Sequence, residues 1–218
     1  MLDLPDGFQQ ILDLLEAAED EEPRDPGPGP ALTRLLEASQ TLADRLPEIP
    51  DARYVRGYAL FLLSRQGVAV SREALSEMIT TVRLAPGHHW ARYHAIVLCH
   101  EKAAHEAVTE HFEALDRDFF ATQGKDWRYL VAWQYAIDSH LRLGQTDRFK
   151  TELNHLVRAY LNYSDDPDEL LPRPGLLTRL EDDLRNGRVE ALQAPAAASC
   201  ADVLHEQLEL LVPGGWIH

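Results

Sequence analysis

Ten of the 218 residues are histidines, whose imidazoles could bind a metal ion or transfer protons. The pair closest to a metal-site motif is His100 and His105, separated by Glu-Lys-Ala-Ala. This spacing is one residue longer than in the zinc motif HExxH. On a continuous helix it also places the two imidazoles about 140° apart, which excludes one shared metal ion unless the chain turns near Ala103. Since no third ligand lies nearby in the sequence, we predict no metal ion and no other cofactor.

Nucleophilic catalysis has no motif either. There is no GxSxG, and the stretch 26–30 is too rich in proline to offer successive N–H groups to a phosphate. Cys99 precedes His100 within a predicted helix, but neighbours on a helix point about 100° apart, so Cys99 is predicted to be a small core residue. The acid pairs at 165–166 and 182–183 are expected on solvated surfaces. We therefore predict that the protein is not an enzyme.

Charge is distributed unevenly along the chain. The formal net charge of −15 argues against binding nucleic acid or an anionic membrane surface. Residues 1–30 contribute −8, whereas residues 52–100 have a net charge of +4. Two cysteines without CxxC spacing indicate a reducing compartment, and no apolar run reaches the roughly 20 residues of a membrane helix. We expect a cytoplasmic protein whose basic region, 52–100, is the best candidate for a binding surface.

Helical periodicity dominates the sequence, and almost no segment alternates as a strand does. Apolar residues recur every three or four positions in about ten segments joined by short turns. In the segment that begins near Ser71, the predicted core face is Leu75, Met78, Ile79 and Val82. Helices with brief connections bury their single apolar stripes by lying antiparallel. The predicted fold is all-α, with about ten helices stacked as antiparallel hairpins in an α-solenoid.

Composition divides the chain into four predicted segments. Residues 1–18 form an acidic N-terminal helix that docks on the body, and residues 19–30 form a linker rich in proline, glycine and acids. The helical-repeat domain is predicted over 31–190. Residues 191–218 contain a small-residue linker, a C-terminal helix and a tail whose Trp216 is expected to plug into the body.

Repeat spacing points to a family. Ala-Val at 107–108 follows Ala-Leu at 74–75 by 33 residues, and the stretch 133–156 has similar spacing with Gly144 at its turn. These features resemble the tetratricopeptide repeat, a helix–turn–helix unit of about 34 residues. The resemblance covers roughly residues 50–162, which corresponds to three hairpins.

The resemblance implies binding rather than chemistry. In such repeats the first helix of each hairpin lines a concave groove that holds a peptide or a partner helix. In this chain those helices are 52–65, 89–102 and 127–142. Their polar residues that would face the groove and bind the partner are Arg53, Arg56, His89, Arg92, Gln134 and Asp138. Arginine suits this role because its planar guanidinium can hold a carboxylate with two hydrogen bonds, which favours a partner with an acidic segment.

Three functions are compatible with the sequence. The first is a non-catalytic cytoplasmic module that binds a protein or peptide in its concave face. The second is an immunity or inhibitor protein whose acidic surface attracts and neutralises a basic toxin or effector. The third is an enzyme whose active site is assembled from distant residues, which requires a pocket with converging titratable groups. We predict the first, because a repeat pattern is present and catalytic motifs are not.

Overall fold

The computed structural model describes residues 8–20, 28–163 and 175–211. Within these ranges the chain forms eleven α-helices and no strand, which confirms the predicted all-α class. The helices are α1 (Phe8–Glu19), α2 (Pro30–Arg45), α3 (Pro50–Arg65), α4 (Ser71–Leu84), α5 (His89–Glu101), α6 (His105–Glu113), α7 (Arg117–Thr122), α8 (Asp126–Arg142), α9 (Thr146–Tyr163), α10 (Gly175–Arg185) and α11 (Ala194–Leu211). None of these helices is long and apolar enough to span a bilayer.

Two compact units divide the chain, residues 1–98 (unit 1) and 99–218 (unit 2), and the division falls inside α5. In unit 1, each of α1 to α3 packs against the next helix. Leu32 and Leu35 of α2 are fully buried in a core shared with α1 and α3. The N-terminal helix docks there as expected, since Ile11 is buried. Residues 21–27 of the predicted linker and Trp216 lie outside the described residues.

The close packing of α3 on α4 determines which face of α4 is buried. A Cβ atom on Gly57 of α3 would lie 2.9 Å from the Cβ of Glu77, so a glycine is what lets the two helices approach. The buried members of α4 are Ala74, Glu77, Met78 and Thr81. The predicted core face is correct for Met78 but wrong for Ile79, which is 45% exposed. Ala74, Glu77 and Met78 form the face next to Gly57, and Ile79 lies outside it.

An internal repeat is visible in unit 1 where the chain enters α3 and α5. Arg53 Nε donates a hydrogen bond to Pro47 O at 3.0 Å, and Arg92 Nε donates one to Pro86 O at 2.9 Å. The backbone hydrogen bonds around the two prolines match as well, with each of these arginines donating its N–H to the fourth residue before it. The chain therefore enters these two helices by the same local geometry, as expected of repeated hairpins.

Helix α8 is the centre of unit 2. It packs against α6, α7, α9 and α10, and ten of its 17 residues are buried. The predicted hairpin of α8 and α9 is confirmed. Gly144 occupies the turn with φ of 73°, and the next N–H, of Gln145, bonds back to His140 O at 2.8 Å. Glycine favours this left-handed position because it has no Cβ.

Two elements of unit 2 differ from the sequence prediction. The six-residue α7 was not predicted; the Asp116 side chain caps it by accepting a hydrogen bond from Asp118 N at 2.9 Å. The small-residue run 194–199, predicted to be a linker, instead begins α11. Alanine is the best helix former, and Pro195 lies in the first turn, where its missing N–H has no partner to lose.

Candidate functional site

Two of the predicted partner-binding residues, Arg53 and Arg56, point from α3 towards α4. Arg53 Nη1 lies 3.3 Å from Glu77 Oε2, and Arg56 Nη1 lies 2.5 Å from Glu77 Oε1. Glu77 is only 8% exposed. Both guanidinium groups therefore compensate a carboxylate that the packing of α3 on α4 buries. Because they retain partial exposure, their role towards a partner stays a prediction.

The other two predicted residues of unit 1 share the first turns of α5. His89 is its first residue and Arg92 follows one turn later, and both are half-buried. The guanidinium of Arg92 is anchored to Pro86 O and has no carboxylate partner among the described residues. Its remaining N–H donors are therefore not paired with an acid within the described ranges.

The last two predicted residues, Gln134 and Asp138, are in α8, and both are largely buried. Gln134 is 3% exposed and donates a hydrogen bond to Tyr160 Oη at 2.8 Å. Asp138 is 1% exposed and is bonded within unit 2. Asp138 is enclosed because α8 is packed on several sides, whereas Gln134 lines a groove of unit 2 with only a small part of its surface. A period of 3.6 alone does not show how many neighbours surround a helix.

A surface that the sequence prediction missed lies on the outward face of α4. A groove of about 330 Å³ is lined there by Arg72, Leu75, Ser76, Ile79, Thr80 and Arg83. The two arginines are exposed, and neither has a carboxylate partner among the described residues. The signal in the sequence was the pattern of Ala74 and Thr81, small residues two turns apart that mark the inner face. Isoleucine at 79 was misleading because apolar residues are usually taken to be core.

Unit 2 contains a buried polar cluster around Asp138. His100 Nε2 lies 2.6 Å from Asp138 Oδ2, and Arg142 Nε donates to both oxygens of Asp138 at 3.0 and 2.9 Å. Arg142 Nη2 also donates to Asp183 at 2.7 Å. Burial alone would raise the pKa of Asp138, but the hydrogen bonds from His100 and Arg142 outweigh burial and hold this pKa below its ordinary value. Asp138 is therefore a carboxylate.

His105 completes the cluster from the first turn of α6. Its Nδ1 lies 3.2 Å from Ser139 Oγ, and its ring centroid lies 5.8 Å from that of His100. Burial lowers the pKa of His105, so the imidazole is neutral at ordinary pH. One ligand atom each from His100, His105 and Asp138 lies within 4.8 Å of the others.

The cluster does not form a serine-protease type of triad, although Ser139, His105 and Asp138 are near one another. The carboxylate of Asp138 bonds to His100 rather than to His105, and Ser139 is fully buried. Catalysis by a thiol is equally unsupported. Cys99 and Cys200 are buried free thiols, and burial raises the pKa of Cys99 to about 11, which keeps it protonated.

The described helices define a helical-repeat protein, and comparison with known proteins agrees with this class. The solved structure "MamA RS-1 ArsTM double mutant" is similar to the chain with a TM-score of 0.55, over 95% of this chain and 98% of that one. The sequence identity is 15%, so the likeness concerns the fold alone. MamA has a tetratricopeptide-like helical fold, and this chain has a fold of that type. No protein-family model and no curated protein matches the sequence.

Proposed function

We propose that this protein is a non-catalytic helical-repeat module whose unit 1 binds an acidic, amphipathic segment of a protein partner. The observation that carries the proposal is the outward face of α4, where exposed Ile79 lies between two arginines that have no carboxylate partner among the residues that the structure describes. Exposed apolar side chains flanked by charged groups are typical of surfaces that bind a partner. The basic region 52–100 predicted from the sequence contains this face.

The spacing on α4 specifies the partner. Arg72 and Arg83 are eleven residues apart, which is about three turns, so both lie on one side of the helix and about 16 Å apart along its axis. Leu75 and Ile79 lie between them, one turn from each other. A partner helix with two apolar residues one turn apart and a carboxylate near each end would match this pattern. Each arginine can hold its carboxylate with two hydrogen bonds.

The residues predicted on the first helices of the hairpins have a smaller part in this proposal. Arg92 and His89 are accessible in part, whereas Arg53 and Arg56 are already engaged by Glu77. We therefore assign the main contact to α4 and a secondary contact to Arg92.

The lining of the grooves supports a binding role over a catalytic one. The groove on α4 has no Asp, Glu, His or Cys in its lining. A second groove, of about 200 Å³ in unit 2, is lined by Val131, Gln134, Tyr135, Gly175, Leu176 and Arg179, and also lacks these residue types. General acid–base or nucleophilic chemistry needs such groups to converge on a substrate.

The test uses two labelled peptides of about 18 residues that share a stripe of leucines at helical spacing. One peptide has glutamate beside the stripe and the other has lysine at the same positions. We expect the full chain to bind the glutamate peptide in fluorescence anisotropy, with affinity that falls as salt is added. The charge reversals Arg72→Glu and Arg83→Glu together should weaken binding about tenfold, since two exposed ion pairs become repulsive.

The control reverses two exposed arginines elsewhere, Arg34→Glu and Arg158→Glu, and should leave the affinity unchanged. Equal affinity of the wild type and the α4 variant for the glutamate peptide would contradict the proposed surface. A larger loss from Arg92→Glu than from the α4 variant would move the contact to the groove predicted from the sequence. Preference for the lysine peptide would instead favour the alternative function, an inhibitor protein that binds a basic partner.

A further inference from the structure

The break between α5 and α6 brings two histidines together that a continuous helix would separate. α5 ends at Glu101 and α6 begins at His105. Ala103 between them has φ of 54°, the only positive φ of a non-glycine residue in the described ranges. The 140° separation expected on one helix therefore does not apply. The third group, Asp138, comes from α8 and is distant in sequence, which is why sequence spacing predicted no metal ligand set.

From this geometry we propose that His100, His105 and Asp138 form a binding site for a divalent transition-metal ion. Two imidazoles and one carboxylate are the donor set that suits Zn²⁺, Co²⁺ and Ni²⁺, whereas Ca²⁺ and Mg²⁺ prefer oxygen ligands alone. With three protein ligands, a water would complete a tetrahedral site. The site lies wholly in unit 2 and is independent of the peptide surface on α4.

Neighbouring side chains are arranged to orient these ligands. With Ser139 Oγ as acceptor, His105 Nδ1 carries the proton and Nε2 presents a lone pair. The ring of His100 packs against Tyr135, with 4.7 Å between the centroids. Arg142 holds the carboxylate of Asp138. Outer partners of this kind fix ligand orientation in known metal sites and affect affinity.

Binding requires only local adjustment. Ligand atoms in a tetrahedral zinc site lie about 3.3 Å apart, given Zn–N distances near 2.0 Å. The ligand atoms here lie within 4.8 Å of one another, and the His100–Asp138 contact is shorter, at 2.6 Å. An ion between His100 and Asp138 replaces the proton that they share. A carboxylate has several lone pairs, so Asp138 can keep its hydrogen bonds to Arg142.

The probe is Zn²⁺ itself, titrated into the full chain after removal of metals with a chelator. We expect about one ion per chain in competition with a chromophoric chelator. Co²⁺ at the same site should give the intense visible absorption of tetrahedral coordination. His105→Gln should weaken Zn²⁺ binding at least tenfold, as expected for loss of one of three ligands. His105 is half-buried, so this variant is expected to fold, which circular dichroism would check.

The matched control is the double variant His88→Gln, His89→Gln, which removes an adjacent histidine pair from unit 1. It should bind Zn²⁺ as the wild type does, whereas His100→Gln with His105→Gln should not bind stoichiometrically. Absence of stoichiometric Zn²⁺ from the wild type would overturn the site. So would equal affinity of the wild type and His105→Gln, because the bound ion would then belong to other side chains.

Discussion

Arginines in the two units differ in their partners. In unit 2, five arginines pair with carboxylates of the same unit: Arg117 with Asp126, Arg142 with Asp138 and Asp183, Arg148 with Glu113, Arg185 with Glu181 and Asp202, and Arg188 with Asp183. In unit 1, Arg72, Arg83 and Arg92 have no carboxylate partner among the described residues. Acids outnumber basic residues in 101–218, which favours pairing within the unit, although Arg158 and Arg179 form no ion pair among the described residues.

This difference separates structural from binding roles within one repeat fold. An arginine already paired with a buried acid is held for stability, and removing it leaves an uncompensated charge. An exposed arginine without a partner adds little to folding and remains available to a ligand. The net charge of −15 is a sum over both units and does not describe the local charge on the surface of α4. Substitutions in the two units should affect different measurements, stability in unit 2 and affinity in unit 1.

The largest effect is expected from Arg142→Met in unit 2. The substitution leaves Asp138, which is 1% exposed, with His100 as its remaining hydrogen-bond partner in the cluster. We expect the free energy of unfolding to fall by about 2 to 3 kcal/mol, less than for a fully buried pair because Arg142 is itself partly exposed. Urea unfolding measures this change. Arg148→Met, which removes an exposed pair with Glu113, should change stability by no more than about 0.5 kcal/mol.

The same variant should be more sensitive to acid. In the wild type the pKa of Asp138 lies below its ordinary value of 3.8, so the unfolded chain takes up this proton first as the pH falls. The contribution of ionised Asp138 to stability is complete at a pH above its ordinary pKa. It is lost as the pH falls through the lower pKa of the folded state. Arg142→Met removes hydrogen bonds that oppose the effect of burial, so its loss of stability should begin at higher pH. Identical pH profiles of the two chains would contradict a structural role for Arg142.

A smaller effect is expected in unit 1 from Glu77→Gln. The neutral amide loses the charge that holds Arg53 and Arg56, and we expect a destabilisation of about 1 to 2 kcal/mol by urea unfolding. Affinity for the glutamate peptide should stay within about twofold, because Glu77 faces α3 and not the groove of α4. Markedly tighter binding would show that the released arginines, rather than α4, make the main contact.

Sequence reasoning succeeded where local signals determine structure. The α8–α9 hairpin follows from an apolar stripe, a glycine in a left-handed turn and a second stripe, all within one short stretch. It failed where the answer depends on a neighbouring helix. The outward face of α4 depends on Gly57 in α3, and the burial of Asp138 depends on the several helices around α8. The periodicity of apolar residues within α4 or α8 does not show which neighbouring helices pack against them.

The candidate metal site shows a third kind of limit. The spacing of His100 and His105 was interpreted on a continuous helix, yet the chain turns at Ala103. Glycine occupies the corresponding left-handed position in other turns, such as Gly67 and Gly144. Alanine gives a weaker signal of such a turn than glycine does, and Asp138 is distant in the sequence, so spacing alone predicted no metal site.

The smallest effects are expected from substitutions at the left-handed turn positions, Ala103 in unit 2 and Gly67 in unit 1. Ala103→Gly in unit 2 removes the strain of a side chain at φ of 54°, while glycine costs entropy on folding; the net stabilisation should be about 0.5 kcal/mol. Gly67→Ala in unit 1 introduces that strain at φ of 86°, with no atom within 4 Å of the new Cβ, and should destabilise by about 1 kcal/mol. Urea unfolding of both variants tests this, and changes of the same sign would contradict the backbone explanation. Zn²⁺ affinity of Ala103→Gly should also equal that of the wild type, because the turn keeps its conformation and His100 and His105 stay together.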